Sequence, residues 1–250
     1  MKILYLDPST GGLILTLFIS LFSFLTFYII NLFRKILFYL KYGFKIKNYD
    51  FQNNLVLFNE GRIYWNVFQP VIRYLIKGNK DFIYLTCDKS DPGLKLKNDL
   101  CTSLYIGNKR EFYFILNDIR AGMIVSSTPQ LNIFEWKRSR MVSHYCYISH
   151  APMDVHANKK FSFDYYDSIL CGNEFQIKNL KYLEKIRGSK RKDFFKTGCT
   201  YYDSLDKIDT QNDSFILIAP TWGERTFLFK HGDLMIGKLI KSGFNVILRP

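Results

Sequence analysis

The segment Ile148-Ser149-His150-Ala151-Pro152-Met153-Asp154-Val155-His156 sets two imidazoles and a carboxylate directly after an apolar run that reads as a β-strand. An imidazole titrates near neutral pH, so His150 at a strand end can take a proton from a hydroxyl or hold a phosphate. Asp154 and His156 are candidate supporting groups. The same side chains also invite a metal reading, but the spacing of the two histidines matches no metalloenzyme signature, and a packing role for His150 is the third alternative. His144 and His231 have no comparable setting.

Two further segments have the residue types of ligand-binding turns. Ala219-Pro220-Thr221-Trp222-Gly223-Glu224-Arg225 follows the apolar run at residues 215–219. A strand ending in a small polar turn before a helix offers free backbone N–H groups to a phosphate, with a hydroxyl from Thr221 and a bidentate guanidinium from Arg225. An ordinary strand-to-helix turn satisfies the same spacing. Lys196-Thr197-Gly198-Cys199-Thr200-Tyr201-Tyr202-Asp203-Ser204-Leu205 reads as a turn and, by itself, as no more. The chain carries no GxGxxG dinucleotide fingerprint, no P-loop and no GxSxG elbow.

The elements that must position these residues alternate. Strands are predicted at residues 55–58, 82–85, 104–106, 123–125, 142–148 and 165–171, with helices over residues 64–76, 109–119 and 174–187. This alternation predicts an α/β domain over residues 54–205 built on a mostly parallel sheet covered on both faces. A polar linker over residues 206–214 precedes a second strand–helix–strand unit over residues 215–250, with its helix near residues 231–241 and its strand at 245–248. That unit reads as the start of a second domain, because a buried parallel strand with nothing beyond it leaves an open edge.

Residues 13–33 form an uncharged apolar run of 21 residues, about 31 Å as a helix and enough to cross a hydrocarbon core of roughly 30 Å. Arg34, Lys35, Lys41, Lys45 and Lys47 follow it with no acid before Asp50, whereas residues 1–12 contain only Lys2 and Asp7. By the positive-inside rule the expected topology is a single-pass plasma-membrane protein with a short extracytoplasmic N-terminus and a cytoplasmic body. The basic, aromatic juxtamembrane segment, residues 34–53, either lies along acidic lipids of the inner leaflet or extends the helix into water. The five cysteines form no CxxC pair and suit free thiols in a reducing compartment. A net charge of +13 favours anionic partners, but the bases are scattered and no nucleic-acid motif is present, so nucleic acid is not expected among the partners.

Taken in order, HAPMDVH (150–156), FDYYDSILCGN (163–173), TGCTYYDSL (197–205), ILIAPTW (216–222) and VILRP (246–250) resemble the CDP-glycerol glycerophosphotransferase family, the teichoic-acid-polymerase-like enzymes. The chain has Ala151 where many members have Gly. The resemblance implies two Rossmann-like domains of GT-B type with the active site between them, a CDP-activated polyol donor, and release of CMP. It makes His150 the catalytic residue and places Thr221, Trp222, Arg225 and Arg249 near the donor phosphates. The expected acceptor is lipid-linked or a glycan. No cofactor or metal is implied, although a divalent ion on the donor pyrophosphate is compatible. Rival readings are a glycosyltransferase or nucleotide-sugar enzyme of the same fold type and a non-catalytic, membrane-anchored binding protein.

Overall fold

Val56, Leu57 and Phe58 lie in strand β1 (Asp50–Asn59) with no exposed surface, because parallel strands flank β1 on both edges and side chains from other elements cover both its faces. The computed structural model describes residues 8–46, 50–107, 111–205, 215–220, 223–224 and 226–249. The chain divides into two compact units, residues 1–205 and 206–250.

In the first unit, β1 is joined by β2 (Phe82–Thr86), β3 (Cys101–Tyr105), β4 (Arg120–Ser126), β5 (Val142–Ile148), β6 (Ser168–Cys171) and β7 (Asp193–Lys196) in one sheet of order β3-β2-β1-β4-β5-β6-β7. Every neighbouring pair is parallel. Side chains alternate between two apolar cores. Val56, Phe58, Leu85, Ile124, Tyr145 and Tyr147 pack with Leu116 of helix α3 (Glu111–Asp118) and Leu180 of helix α4 (Glu174–Arg187). Leu57, Phe82, Tyr84, Val125, Cys146 and Ile148 face the opposite way, against Val67, Phe68 and Ile72 of helix α2 (Trp65–Lys77). A strand buried on both faces needs apolar residues at consecutive positions, which is why its sequence reads as a continuous run. After β7 the chain returns to α2: Thr200 Oγ1 donates to the Val67 carbonyl at 2.7 Å, and Tyr201 joins the α2-side core.

Helix α1 (Pro8–Ile46) contains one stretch, Gly11–Arg34, long and apolar enough to cross a membrane, with a mean hydropathy of 2.4. None of that stretch is buried within the protein. Thr16, Ser20 and Thr26 each donate their hydroxyl to the carbonyl four residues back, so these groups need no outside partner. In the second unit, β8 (Phe215–Ile218) pairs in parallel with β9 (Asn245–Leu248), and helix α5 (Phe227–Lys241) connects them.

Several elements differ from the sequence expectation. β1 begins at Asp50, so residues 50–53 belong to the sheet and not to the juxtamembrane segment; a register shift between Phe51 and Leu55 hid the strand's first half. The third strand begins three residues earlier than its apolar residues suggested and ends at Tyr105, and the short β7 was not expected. β6 starts at Ser168, three residues later than expected, although the Asp167 main chain already bonds to both neighbours, its N–H donating to the Tyr145 carbonyl at 2.8 Å and its carbonyl accepting from the Asp193 N–H at 3.0 Å. Helix α5 starts at Phe227, four residues before its expected first turn, capped by Thr226. The linker at 206–214 lies outside the described residues.

One buried polar network closes the end of β1. Asn59 Nδ2 donates to Tyr84 Oη at 2.7 Å and to Asp91 Oδ2 at 2.9 Å, and Tyr84 Oη donates to the same carboxylate. The Gly93 N–H donates to Asp91 Oδ1 at 2.8 Å. Gly93 lies under the Tyr84 ring so closely that a Cβ there would sit 2.1 Å from Cε1. Gly93→Ala is therefore expected to displace the ring and cost about 1–3 kcal/mol, read from the midpoint of chemical unfolding. Gly237→Ala, where a Cβ meets nothing within 4 Å, is the control and should leave stability unchanged or raise it.

Candidate functional site

The strand order reverses between β1 and β4: β2 and β3 extend from one side of β1, and β5 to β7 continue from β4 on the other. In open parallel sheets this is where a crevice opens beyond the carboxyl ends of the strands. Three strand ends meet there, carrying Asn59-Glu60-Gly61 after β1, Ser126-Ser127-Thr128 after β4 and Ser149-His150 after β5.

His150 is held in a tight turn. The Ser149 N–H donates to the Leu170 carbonyl at 3.3 Å, extending the β5–β6 ladder, and Ser149 Oγ donates to the Ala151 carbonyl at 2.8 Å. The imidazole meets the Tyr64 ring edge-on, with centroids 5.2 Å apart, and its Nδ1 lies 3.2 Å from Tyr147 Oη. Burial lowers its pKa below 6.5, and the main chain of Ser127, which favours the protonated ring, offsets this only partly. The ring is therefore neutral at pH 7. With the proton on Nδ1 and donated to Tyr147 Oη, Nε2 keeps a free lone pair, which is what a general base requires; the other tautomer makes Nε2 a donor instead. A cavity of about 20 Å³ lies behind the turn, lined in part by Tyr147, Met153 and Gln176, with space for about one water molecule.

Glu60 is the residue the sequence reading passed over. Its carboxyl is partly buried, and desolvation raises its pKa, with the facing Thr128 hydroxyl pulling it partly back. That hydroxyl faces Glu60 without a well-formed hydrogen bond, although the Thr128 main chain is fixed at both ends, its N–H to Ser126 Oγ and its carbonyl to Tyr166 Oη. Among the described residues no cation lies within ion-pairing distance of Glu60. Burial first, and then Glu60, Asp88 and Asp91, push the Cys87 thiol up to about 12, and Cys87 Sγ donates to the Glu60 carbonyl at 2.8 Å. The β1–β2 side of the crevice is thus acidic in a strongly basic chain. The signal in the sequence was an acid placed directly after a buried strand, at the open end of the sheet.

The other expected site residues are dispersed. Asp154 accepts from Asn179 Nδ2 at 2.7 Å, from the Val155 N–H at 2.7 Å and from His156 Nδ1 at 3.0 Å. The Asn179 bond leads in holding its carboxyl below the usual range, and the group caps a short turn against α4. His156 is largely exposed, and with Asp154 it lines a cleft with Lys159 and Tyr182 that His150 does not enter. Thr221, Trp222 and Arg225 lie outside the described residues. Arg249 belongs to the second unit, where its main-chain N–H continues the β8–β9 ladder to the Ile218 carbonyl at 2.9 Å. Among the described residues no group of three or more His, Cys, Asp or Glu side chains is arranged to hold a metal ion.

No family model, curated protein or solved structure matches this chain. The functional reading therefore rests on the residues and their geometry.

His150 should titrate by NMR with a midpoint below 6.5. Because its folded pKa is depressed, the unfolded chain binds the proton first, and stability falls as pH drops from 6.5 through the folded value. Tyr64→Leu, which removes the ring edge from the imidazole, should move the midpoint up towards 6.5. A midpoint already at or above 6.5 in the parent would show that the imidazole is not desolvated.

Proposed function

We propose that the chain is a membrane-anchored transferase that moves a polyol phosphate from a CDP-activated donor to a hydroxyl of a lipid-linked or glycan acceptor. The observation that carries this reading is His150, neutral at pH 7 and held between Tyr64 and Tyr147 where the strand order reverses. The motif order described above, with its resemblance to CDP-glycerol glycerophosphotransferases, supplies the substrate class.

In the proposed step, Nε2 of His150 takes the proton of the acceptor hydroxyl. The acceptor oxygen attacks the phosphorus that bears the polyol, a new P–O bond forms, and the bond to CMP breaks, with CMP leaving with the electron pair. This step takes the tautomer with the proton on Nδ1, facing Tyr147 Oη, and Tyr64 shields the ring from water. The developing charge on the donor phosphates is assigned to Thr221, Trp222, Arg225 and Arg249 of the second unit, on the resemblance alone. A divalent ion on the pyrophosphate is compatible with this step, but no residue described above is assigned to hold one.

The same reading makes the first unit Rossmann-like and assigns the second to the donor side of a GT-B type fold. Helix α1 would anchor the enzyme through Gly11–Arg34 with the body in the cytoplasm, where Arg34 and the bases after it meet acidic lipids of the inner leaflet.

Three measurements test this. His150→Ala should lower CDP-glycerol-dependent transfer by about 100- to 10,000-fold with the fold retained, and activity within threefold of the parent would overturn the assignment. Release of a nucleoside diphosphate from a sugar donor, in place of CMP, would move the chain to glycosyl transfer. In sealed right-side-out vesicles a C-terminal tag should resist external protease; its digestion would reverse the topology.

A further inference from the structure

The acidic side of the crevice has no part in the step above, yet it contains a carboxyl without a cation next to a buried hydroxyl that faces it without a well-formed bond. Glu60 keeps partial exposure, so it can meet a ligand, whereas Thr128 is 93% buried by side-chain surroundings that leave its Oγ1 unbonded. A buried hydroxyl without a partner is costly, and a small turn of the Glu60 carboxyl would satisfy it. One carboxyl oxygen would then be held by Thr128 and the other left to face the crevice. Tyr64, four residues on, connects the two halves: its ring lies against His150, and its own hydroxyl is raised in pKa by burial first and by Glu60 second. Tyr64 is thus a neighbour of both Glu60 and His150.

We propose that Glu60 is the hydroxyl-binding residue of an acceptor subsite, positioned by Thr128, and that this subsite takes an uncharged vicinal diol of a sugar or polyol. The charge pattern selects the ligand. Asp88 and Asp91 share the Cys87 neighbourhood with Glu60, and although Arg62 acts on Asp88, no described cation pairs with Glu60 itself, so a phosphate at Glu60 would meet like charge. A hydroxyl has no such penalty and can donate to a carboxylate or accept from a carboxylic acid. The inference rests on the transferase reading for the word acceptor, but binding of the diol does not depend on whether His150 transfers anything.

The test is ligand-observed saturation-transfer NMR on the detergent-solubilised protein without donor, using methyl α-D-glucopyranoside, 1-propanol and glycerol 3-phosphate. The glucoside should bind more tightly than either of the others. Glu60→Met, close in volume but unable to bond a hydroxyl, should weaken glucoside binding at least about tenfold. Thr128→Val should weaken it severalfold with the melting temperature little changed, because the buried hydroxyl it removes makes no well-formed bond beyond its approach to Glu60, and Thr128→Ser should restore binding. Glucoside binding within twofold of the parent in Glu60→Met, absence of binding in the parent, or equal binding of 1-propanol or glycerol 3-phosphate would each overturn the proposal. If diol binding behaves as expected while His150→Ala leaves transfer untouched, the transferase mechanism fails and the subsite stands.

Discussion

The side-chain amide of Asn59 gives both its protons to the neighbouring strand and loop, to Tyr84 and Asp91, while its oxygen accepts from the Gly61 N–H at 3.2 Å. Asn59 and Tyr84 have no exposed surface and Asp91 almost none, so the network is fully bonded in a place where a missing bond would be costly. Much depends on it. β1 has an apolar core on each face, so a one-residue slip would exchange Val56 and Phe58 for Leu57 and trade one apolar environment for another. Hydrophobicity alone therefore discriminates poorly between registers. A polar side chain that finds its partners in only one register removes that ambiguity, and the next residue along is Glu60.

The sheet was legible in the sequence where strands are long and buried on both faces. Residues 55–58 and 82–85 are continuous apolar runs and residues 142–148 end in one, and the helices over Trp65–Lys77 and Glu174–Arg187 have clear stripes or caps. The short edge strands were not legible: β7, at Asp193–Lys196, has one half-buried residue among exposed ones and no periodicity to detect. The site was legible in one residue. His150 stands out because a histidine after a strand is chemically conspicuous. Glu60 and Thr128 do not, since an acid or a threonine in a turn is common, and what distinguishes them is desolvation and a missing partner, which arise only when three separate strand ends converge.

Asp154 and His156 show the converse. Their spacing from His150 suggested one cluster, but the short turn at Val155–Ala157 directs them to α4, where Asn179 takes the carboxylate. Sequence proximity to a functional residue is weak evidence when a cap is available nearby, because a carboxylate bonded by backbone and amide N–H groups is already satisfied. The two kinds of acid in this protein are set apart by that difference: Asp154 is stabilised as an anion, and Glu60 is not.

The hydroxyl bond from Thr200 to the Val67 carbonyl joins residues 133 positions apart in the chain. It means that the first unit does not finish where its last strand finishes. The sheet ends at Lys196, but α2 is still missing part of its cover until Tyr201 arrives. Any division of the gene at the edge of the sheet would therefore leave a bare flank on the helix that follows β1, and a natural seam for recombination lies beyond Leu205 instead.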